Sequence, residues 1–433
     1  MKILKYSILF LSLAFIQSCT IEDIPNPNGP SIEGVLVDAT KSQLQTLVTG
    51  SENTLRSEIG FYYDVTAIIG REYYFFTGSD PRYTGEILGK GESTLDNAGF
   101  YGTRPYAGRY RTIRNLNVLI ESAQNSTLLT DEELEGFLGF AETFKAYELL
   151  LVANMQFTNG VRVDVDDFDN LGDFVSYDEA LSSVLDLLDE AESHLGNAGS
   201  SFPFNLSSGL SGFSDPASFL SFNRAVSARV ALYQGNSSDA LARVSESFID
   251  EMGAMDMGPA RPYSAAGGDQ ANPLFRLTDQ ADGIIAHPSF VEDLESGDNR
   301  ADKIALRPSG ELSLDDLSGT HDVVIYKSFE DNIPYITNTE LLLIRAEANI
   351  GTDNAAAVAD INVVRNAADL GDFSGSSDEE ITAELINQRR YALFGLGHRW
   401  VDMRRWGMLD QLPIDRDGDD VWELFPRPVS EPQ

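Results

Sequence analysis

The chain has 433 residues, 68 acidic against 31 basic, for a formal charge of −37, and is 42% hydrophobic and 10% aromatic. That apolar content can build a large core and excludes wholesale disorder. The acidity argues against a nucleic-acid surface, which is built from Lys and Arg, and against charge-driven docking on an anionic membrane. Lysine is scarce, 7 against 24 arginines, as expected of a surface kept hydrated by carboxylates and relieved of self-repulsion by salt.

Lys2 and Lys5 precede an apolar run of eleven residues, Tyr6 to Ile16. A bilayer span needs about 20 residues, so this run reads as a secretory signal. Ile16-Gln17-Ser18-Cys19 follows, and Cys19 is the only cysteine, so it has no partner for an internal disulfide. The segment resembles a bacterial lipoprotein signal: residues 1–18 would be removed and the Cys19 sulfur would carry the lipid, with palmitate among its acyl chains. Several acyl chains on one N-terminus anchor firmly. Residues 19–34, with Pro25, Pro27 and Pro30, form the lipidated cysteine and a flexible tether. Residues 35–433 are expected to be a single domain.

Helical spacing of Leu44, Leu47 and Val48 predicts a first helix over 38–52. A second runs over 106–122, with Tyr110, Ile113, Leu116 and Ile120 on one stripe. Thr130 as N-cap, followed by acids, opens a helix from Asp131 to Phe157. Ser176 and Glu179 form a capping box for an amphipathic helix reaching Leu195. Two segments then share one grammar: 228–235 and 344–351 each end at a glycine, and small residues at 240–241 and 356–357 open the next helix. Paired helices turned at glycine are tetratricopeptide-like hairpins. Between the helical blocks lie 71–104, 158–175, 196–217, 251–340 and 408–433. They are long, rich in Gly, Pro, Ser, Asn and Asp, and carry aromatics that disordered segments lack. The fold class that follows is mainly α, a tetratricopeptide-like helical scaffold decorated with long irregular loops.

Three segments carry a family resemblance. They are Asn338-Thr-Glu-Leu-Leu-Leu-Ile-Arg-Ala-Glu-Ala348, the run Ile386 to Gly407 with its Gly-His-Arg-Trp-x-Asp-x-Arg-Arg-Trp core, and the closing Phe425-Pro-Arg-Pro with Glu431. Tyr106 to Asn117, Ala141 to Phe157 and Asp298-Asn-Arg300 before Tyr326-Lys327 add to them. In this order, behind a lipoprotein signal, they resemble the SusD/RagB family of outer-membrane nutrient-binding lipoproteins. The chain departs from the family pattern at Gln388, usually acidic, and at Leu396, usually Glu. The resemblance implies a Gram-negative surface protein that binds oligo- or polysaccharide and delivers it, as a lid, to a SusC-like TonB-dependent transporter, without cleaving it. The alternatives are a surface glycan-degrading enzyme and a peptide-uptake or adhesion lipoprotein.

The 398–406 run is chemically loaded, but on a helix Asp402 lies three residues from both Arg399 and Arg405, so ion pairing within the core is its expected role. The four histidines (194, 287, 321 and 398) are dispersed, with no HExxH and no cysteine partner, which argues against zinc. No G-x-S-x-G, phosphate-binding loop or dinucleotide fingerprint occurs, so no catalytic residue is assigned. Asp415, Asp417 and Asp419 alternate around Gly418 in the manner of a calcium loop, without the length or the closing Glu of an EF-hand. The patch 71–114 is the most informative: seven basic residues face five acids inside an acidic protein, among many rings. Rings stack on sugar faces, and Arg forks carboxylates or sulfates. With the family's loops before the 106 helix contributing to its glycan face, the candidate ligand residues are Arg71, Tyr73, Tyr74, Asp80, Arg82, Tyr83, Tyr101, Arg104 and Tyr106, and an anionic polysaccharide is the candidate ligand.

Overall fold

The computed structural model describes residues 32–168 and 170–431; the signal segment, Cys19 and most of the tether lie outside them. Thirteen α-helices are described: α1 (Ile32–Asp38), α2 (Lys41–Leu55), α3 (Ile59–Ile69), α4 (Phe100–Gln124), α5 (Asp131–Gln156), α6 (Tyr177–Asn197), α7 (Pro216–Tyr233), α8 (Ser237–Ser245), α9 (Pro288–Glu292), α10 (Asn338–Asn349), α11 (Asn354–Ala367), α12 (Asp378–Ala392) and α13 (Arg399–Arg405).

Local signals set most helix starts. Thr40 with Gln43, Thr130 with Glu133, Ser176 with Glu179 and Ser377 with Glu380 each close a capping box, so two orphan donors at each end find acceptors. Turns end two helices: Gly235 (φ 74°) separates α7 from α8, and Gly351 (φ 80°) separates α10 from α11, as the repeated grammar predicts. The packing is sequential. α2 lies on α4, α4 on α5, α5 on α6, α6 on α7, α7 on α8, α8 on α10, α10 on α11, and α12 on both α10 and α11. Stacked antiparallel hairpins form the scaffold, as the sequence leads one to expect.

Three features differ from expectation. Helix α1 begins at Ile32, so the last residues of the expected tether are helical. The segment Ile59–Ile69 is a helix, although it has no polar stripe; every residue of it except Phe61 is buried, so no amphipathic period is needed. The 71–104 and 251–340 stretches are not wholly irregular, because they contribute a four-stranded sheet. Its strands run in the order Tyr73–Phe76, Gly283–Ala286, His321–Val323, Ile304–Leu306, with antiparallel pairing such as Tyr73 opposite Ala286 and Ile304 opposite Val323.

The core is aromatic at its centre, where Phe137, Phe140, Phe144, Phe202, Phe204, Phe219, Phe222 and Tyr335 meet at 4.7 to 5.8 Å between ring centroids. Buried ion pairs cross between helices. Arg109 on α4 meets Glu148 on α5 at 2.6 Å, Arg229 on α7 meets Glu340 on α10 at 2.6 Å, and Arg389 on α12 meets Asp402 on α13 at 2.7 Å. Among the described residues no helix is long and apolar enough to cross a membrane.

Candidate functional site

The α3 helix, the sheet strand 73–76, the start of α4 and the loop at 270–276 enclose a cavity of about 420 Å³. Its placement depends on a close approach. A Cβ at Gly60 would sit 2.8 Å from the Pro273 Cβ, so the loop rests directly on α3 only because that position is glycine. Phe61, Phe75 and Tyr83 line the space. They belong to a chain of rings in which Phe75 and Tyr83 are 4.5 Å apart, Tyr83 and Phe100 5.4 Å, and Phe100 and Phe61 5.6 Å.

Three arginines reach the same cavity, and each has a carboxylate. Arg104 forks Glu58 through Nε and Nη2 at 2.9 and 3.1 Å and lies 4.2 Å above the Phe61 ring. Arg276 Nη2 donates to Asp64 at 3.1 Å, and Arg56 Nη1 donates to Asp269 at 2.7 Å. Burial raises the Asp64 carboxyl, while the Arg276 charge and the Tyr73 hydroxyl, which donates to it at 3.1 Å, pull the other way. A second cavity of about 780 Å³ adjoins across Arg56, lined by Gln45, Thr49, Asn53 and Ser264 among others. The arrangement offers apolar faces ringed by fixed donors and acceptors, a surface suited to a polyhydroxylated ligand.

The structure divides the nine candidate ligand residues. Tyr83 lines the cavity and Arg104 stands at its mouth with its side chain 51% exposed. Asp80 and Arg82 form a fork with each other at 2.8 and 2.9 Å, and Arg82 lies over Phe100, which puts the pair beside the ring chain and outside the cavity lining. The other five are turned inward. Arg71, at φ 54°, is buried and spends its guanidinium on the carbonyls of Ile69, Pro413 and Asp420. Tyr73 is held by Asp64, Tyr74 stacks on Phe76, and the Tyr101 hydroxyl bonds Glu86 and the Asp96 amide. Tyr106 is buried against Tyr110 at 4.8 Å. A sugar reaches none of these rings, because the fold has already covered both faces.

Phe61, Glu58, Asp64 and Arg276 escape the sequence reading. Phe61 opens the Phe61-Tyr62-Tyr63 run just ahead of the patch, which was the one available signal; Arg276 lies in a loop with no local excess of positive charge. Of the three calcium-loop carboxylates, Asp415 accepts from His287 Nε2 at 2.8 Å, Asp419 accepts from Arg416 Nε at 3.0 Å, and Asp417 is exposed. The 398–406 run behaves as expected of core: Asp402 binds Arg389 at 2.7 and 3.1 Å and Arg405 at 2.9 Å, and Trp400 is buried. Of the two partners that sequence spacing offered, Arg405 is engaged, and Arg389 from across the helices stands in place of Arg399.

The SusD family model matches residues 320–421, the segment that holds α10 to α13 and this ion-pair network. This segment is similar to the SusD family. No curated protein matches its sequence. The fold agrees with solved structures across most of its length. A SusD superfamily protein from Bacteroides vulgatus aligns with a TM-score of 0.71 at 16% identity, covering 90% of this chain and 96% of that one. A SusD-like carbohydrate binding protein from the same species gives 0.65 at 14% identity, covering 84% and 83%. Surface glycan-binding protein A from Bacteroides uniformis gives 0.61 at 14% identity, covering 85% and 88%. These likenesses establish the SusD-like helical fold.

Proposed function

We propose that this chain captures oligosaccharide in the Phe61–Tyr83–Arg104 cavity without cleaving it. The observation that carries the reading is the chain of rings Phe61, Phe100, Tyr83 and Phe75, opening beside fixed Arg–carboxylate pairs on a SusD-like fold. The SusD family match over residues 320–421 and the carbohydrate-binding names of two structural neighbours support it. Each cavity arginine already faces a carboxylate, so a uronate or sulfate gains less from it than from an unpaired guanidinium. That pairing favours a neutral glycan over the anionic one expected from composition.

The rest of the proposal follows the family. Cys19 carries the lipid that holds the protein on the outer membrane, facing outward, and a SusC-like TonB-dependent transporter receives the captured sugar. Incorporation of labelled palmitate, abolished by Cys19→Ala, is the expected result for the anchor, and co-purification with such a transporter is the expected result for the partner.

Isothermal titration with neutral and anionic oligosaccharides, and with peptides, tests the ligand. Binding of a neutral glycan that falls with Phe61→Ala supports the proposal. Binding of peptides alone overturns it, as does release of reducing ends during incubation.

A further inference from the structure

The α5–α6 hairpin carries a second cluster, on helices that do not line the cavity. Glu135 and Glu142 stand two turns apart on α5, and Glu190 and His194 one turn apart on α6, so each pair shares a face. The helices close tightly here. A Cβ at Gly139 would lie 2.6 Å from Leu195 Cγ and 3.1 Å from the Leu195 backbone nitrogen. One ligand atom each from Glu142, Glu190 and His194 consequently lie within 4.8 Å of one another.

Glu142 supplies an independent observation. It is only 6% exposed, and its Oε2 is buried with no hydrogen-bond partner. Its Oε1 stands 3.6 Å from His194 Nε2. The other ring nitrogen, Nδ1, is 2.5 Å from Glu135 Oε2. With the proton on Nδ1, the Nε2 lone pair is turned toward Glu142, the carboxylate–histidine arrangement found behind metal ligands. Lys145, one turn along α5, is engaged with Asp166 at 2.5 Å. Arg224, which faces α6 from α7, is engaged with Asp189 and Glu192 at 3.1 and 2.6 Å. Among the described residues, neither Lys145 nor Arg224 donates a hydrogen bond to the Glu142 carboxylate.

We propose that Glu142, Glu190 and His194 bind a divalent transition-metal cation of the zinc type, with Glu135 orienting the imidazole. One imidazole and two carboxylates from protein suit Zn²⁺ and its first-row neighbours, whereas Ca²⁺ and Mg²⁺ take all-oxygen shells. Glu190 is exposed, so the ion has a path from solvent and a coordination position left for water. The sequence argued against zinc because its histidines are dispersed; here a single histidine suffices, because a neighbouring helix supplies the carboxylate opposite it.

The probe is Zn²⁺ alone, added to the metal-stripped full chain and followed by titration calorimetry and by elemental analysis after dialysis. One equivalent binds at micromolar concentration or below, and the melting temperature rises with it. His194→Ala and Glu190→Gln each weaken binding by tenfold or more. Both positions are at least partly exposed, and unchanged circular dichroism certifies that each variant is folded. Glu135→Gln weakens binding about tenfold, as loss of an outer partner does. Cobalt in place of zinc gives visible absorption bands that are absent in His194→Ala. The proposal is overturned if the wild type takes up no Zn²⁺, or if folded His194→Ala and Glu190→Gln bind as the wild type does, which would place the ion elsewhere among the many surface carboxylates.

Discussion

The Arg389–Asp402–Arg405 cluster and the rim of the 420 Å³ cavity draw on the same residue types and come out with opposite properties. In the first, Asp402 is 2% exposed and both arginines are spent on it and on Glu347. In the second, Arg104 keeps half its side chain in solvent while it forks Glu58 and covers Phe61. Guanidinium, carboxylate and ring occur in both. What separates a structural tie from a binding surface is whether the last faces of those groups are covered. The family signature lies in the sealed cluster, and the proposed ligand surface lies in the open one, outside the 320–421 match.

If that division is right, the largest loss of stability comes from the sealed side. Asp402→Ala strands the buried Arg389, leaves Arg405 with Glu347 alone, and is expected to cost about 3–5 kcal/mol in urea unfolding. A loss below about 1 kcal/mol would show that the cluster is not sealed in solution. His398, beside it, gives a pH test. Burial, reinforced by Arg229 and Arg389, holds the imidazole down at about 4 against an ordinary 6.5, although Glu340 stands 3.4 Å away and Asp402 opposes the shift. A base whose folded value is depressed contributes stability that is complete above pH 6.5 and is lost as pH falls toward 4. At about 1.4 kcal/mol per pH unit the loss reaches about 3 kcal/mol. His398→Gln should flatten that part of the stability profile, and an unchanged acid limb would count against a neutral buried imidazole.

Gly139→Val probes the scaffold at an intermediate scale. Its side chain would strike Leu195, and overpacking of this kind costs about 1–3 kcal/mol. A milder outcome would mean that α5 and α6 can part, and the same measurement repeated with Zn²⁺ reports whether the Glu142–His194 cluster closes with them.

The legible parts of the chain are those whose signals are local. Thr130 with Glu133 and Ser176 with Glu179 fix helix starts within three residues of sequence, and Gly235 and Gly351 mark turns that only a positive φ allows. Helix α3 was hidden because burial on all sides erases the polar stripe. The sheet was hidden for a different reason: its strands are three or four residues long, and Tyr73 pairs with Ala286 on the far side of several helices. The site was half legible. Local sequence shows that Arg71 and Arg104 sit among rings. It does not show that Arg71, at φ 54°, turns inward onto distant carbonyls such as that of Asp420, whereas Arg104 projects from α4.

Arg104 itself gives the smallest stability change and the sharpest test of the comparison. Its fork with Glu58 is exposed, so Arg104→Ala should alter unfolding free energy by less than about 1 kcal/mol. Binding should respond differently. The substitution removes the guanidinium from the Phe61 face and frees Glu58, leaving an unpaired carboxylate at the cavity mouth. A neutral oligosaccharide is expected to lose about five- to tenfold in affinity, the scale of one or two hydrogen bonds, and an anionic one to lose more, because repulsion from Glu58 is added. Equal losses for both would mean that charge at the rim plays no part in selection. No loss for either, in a variant as stable as the wild type, would move the binding surface away from this cavity, toward the adjoining one across Arg56.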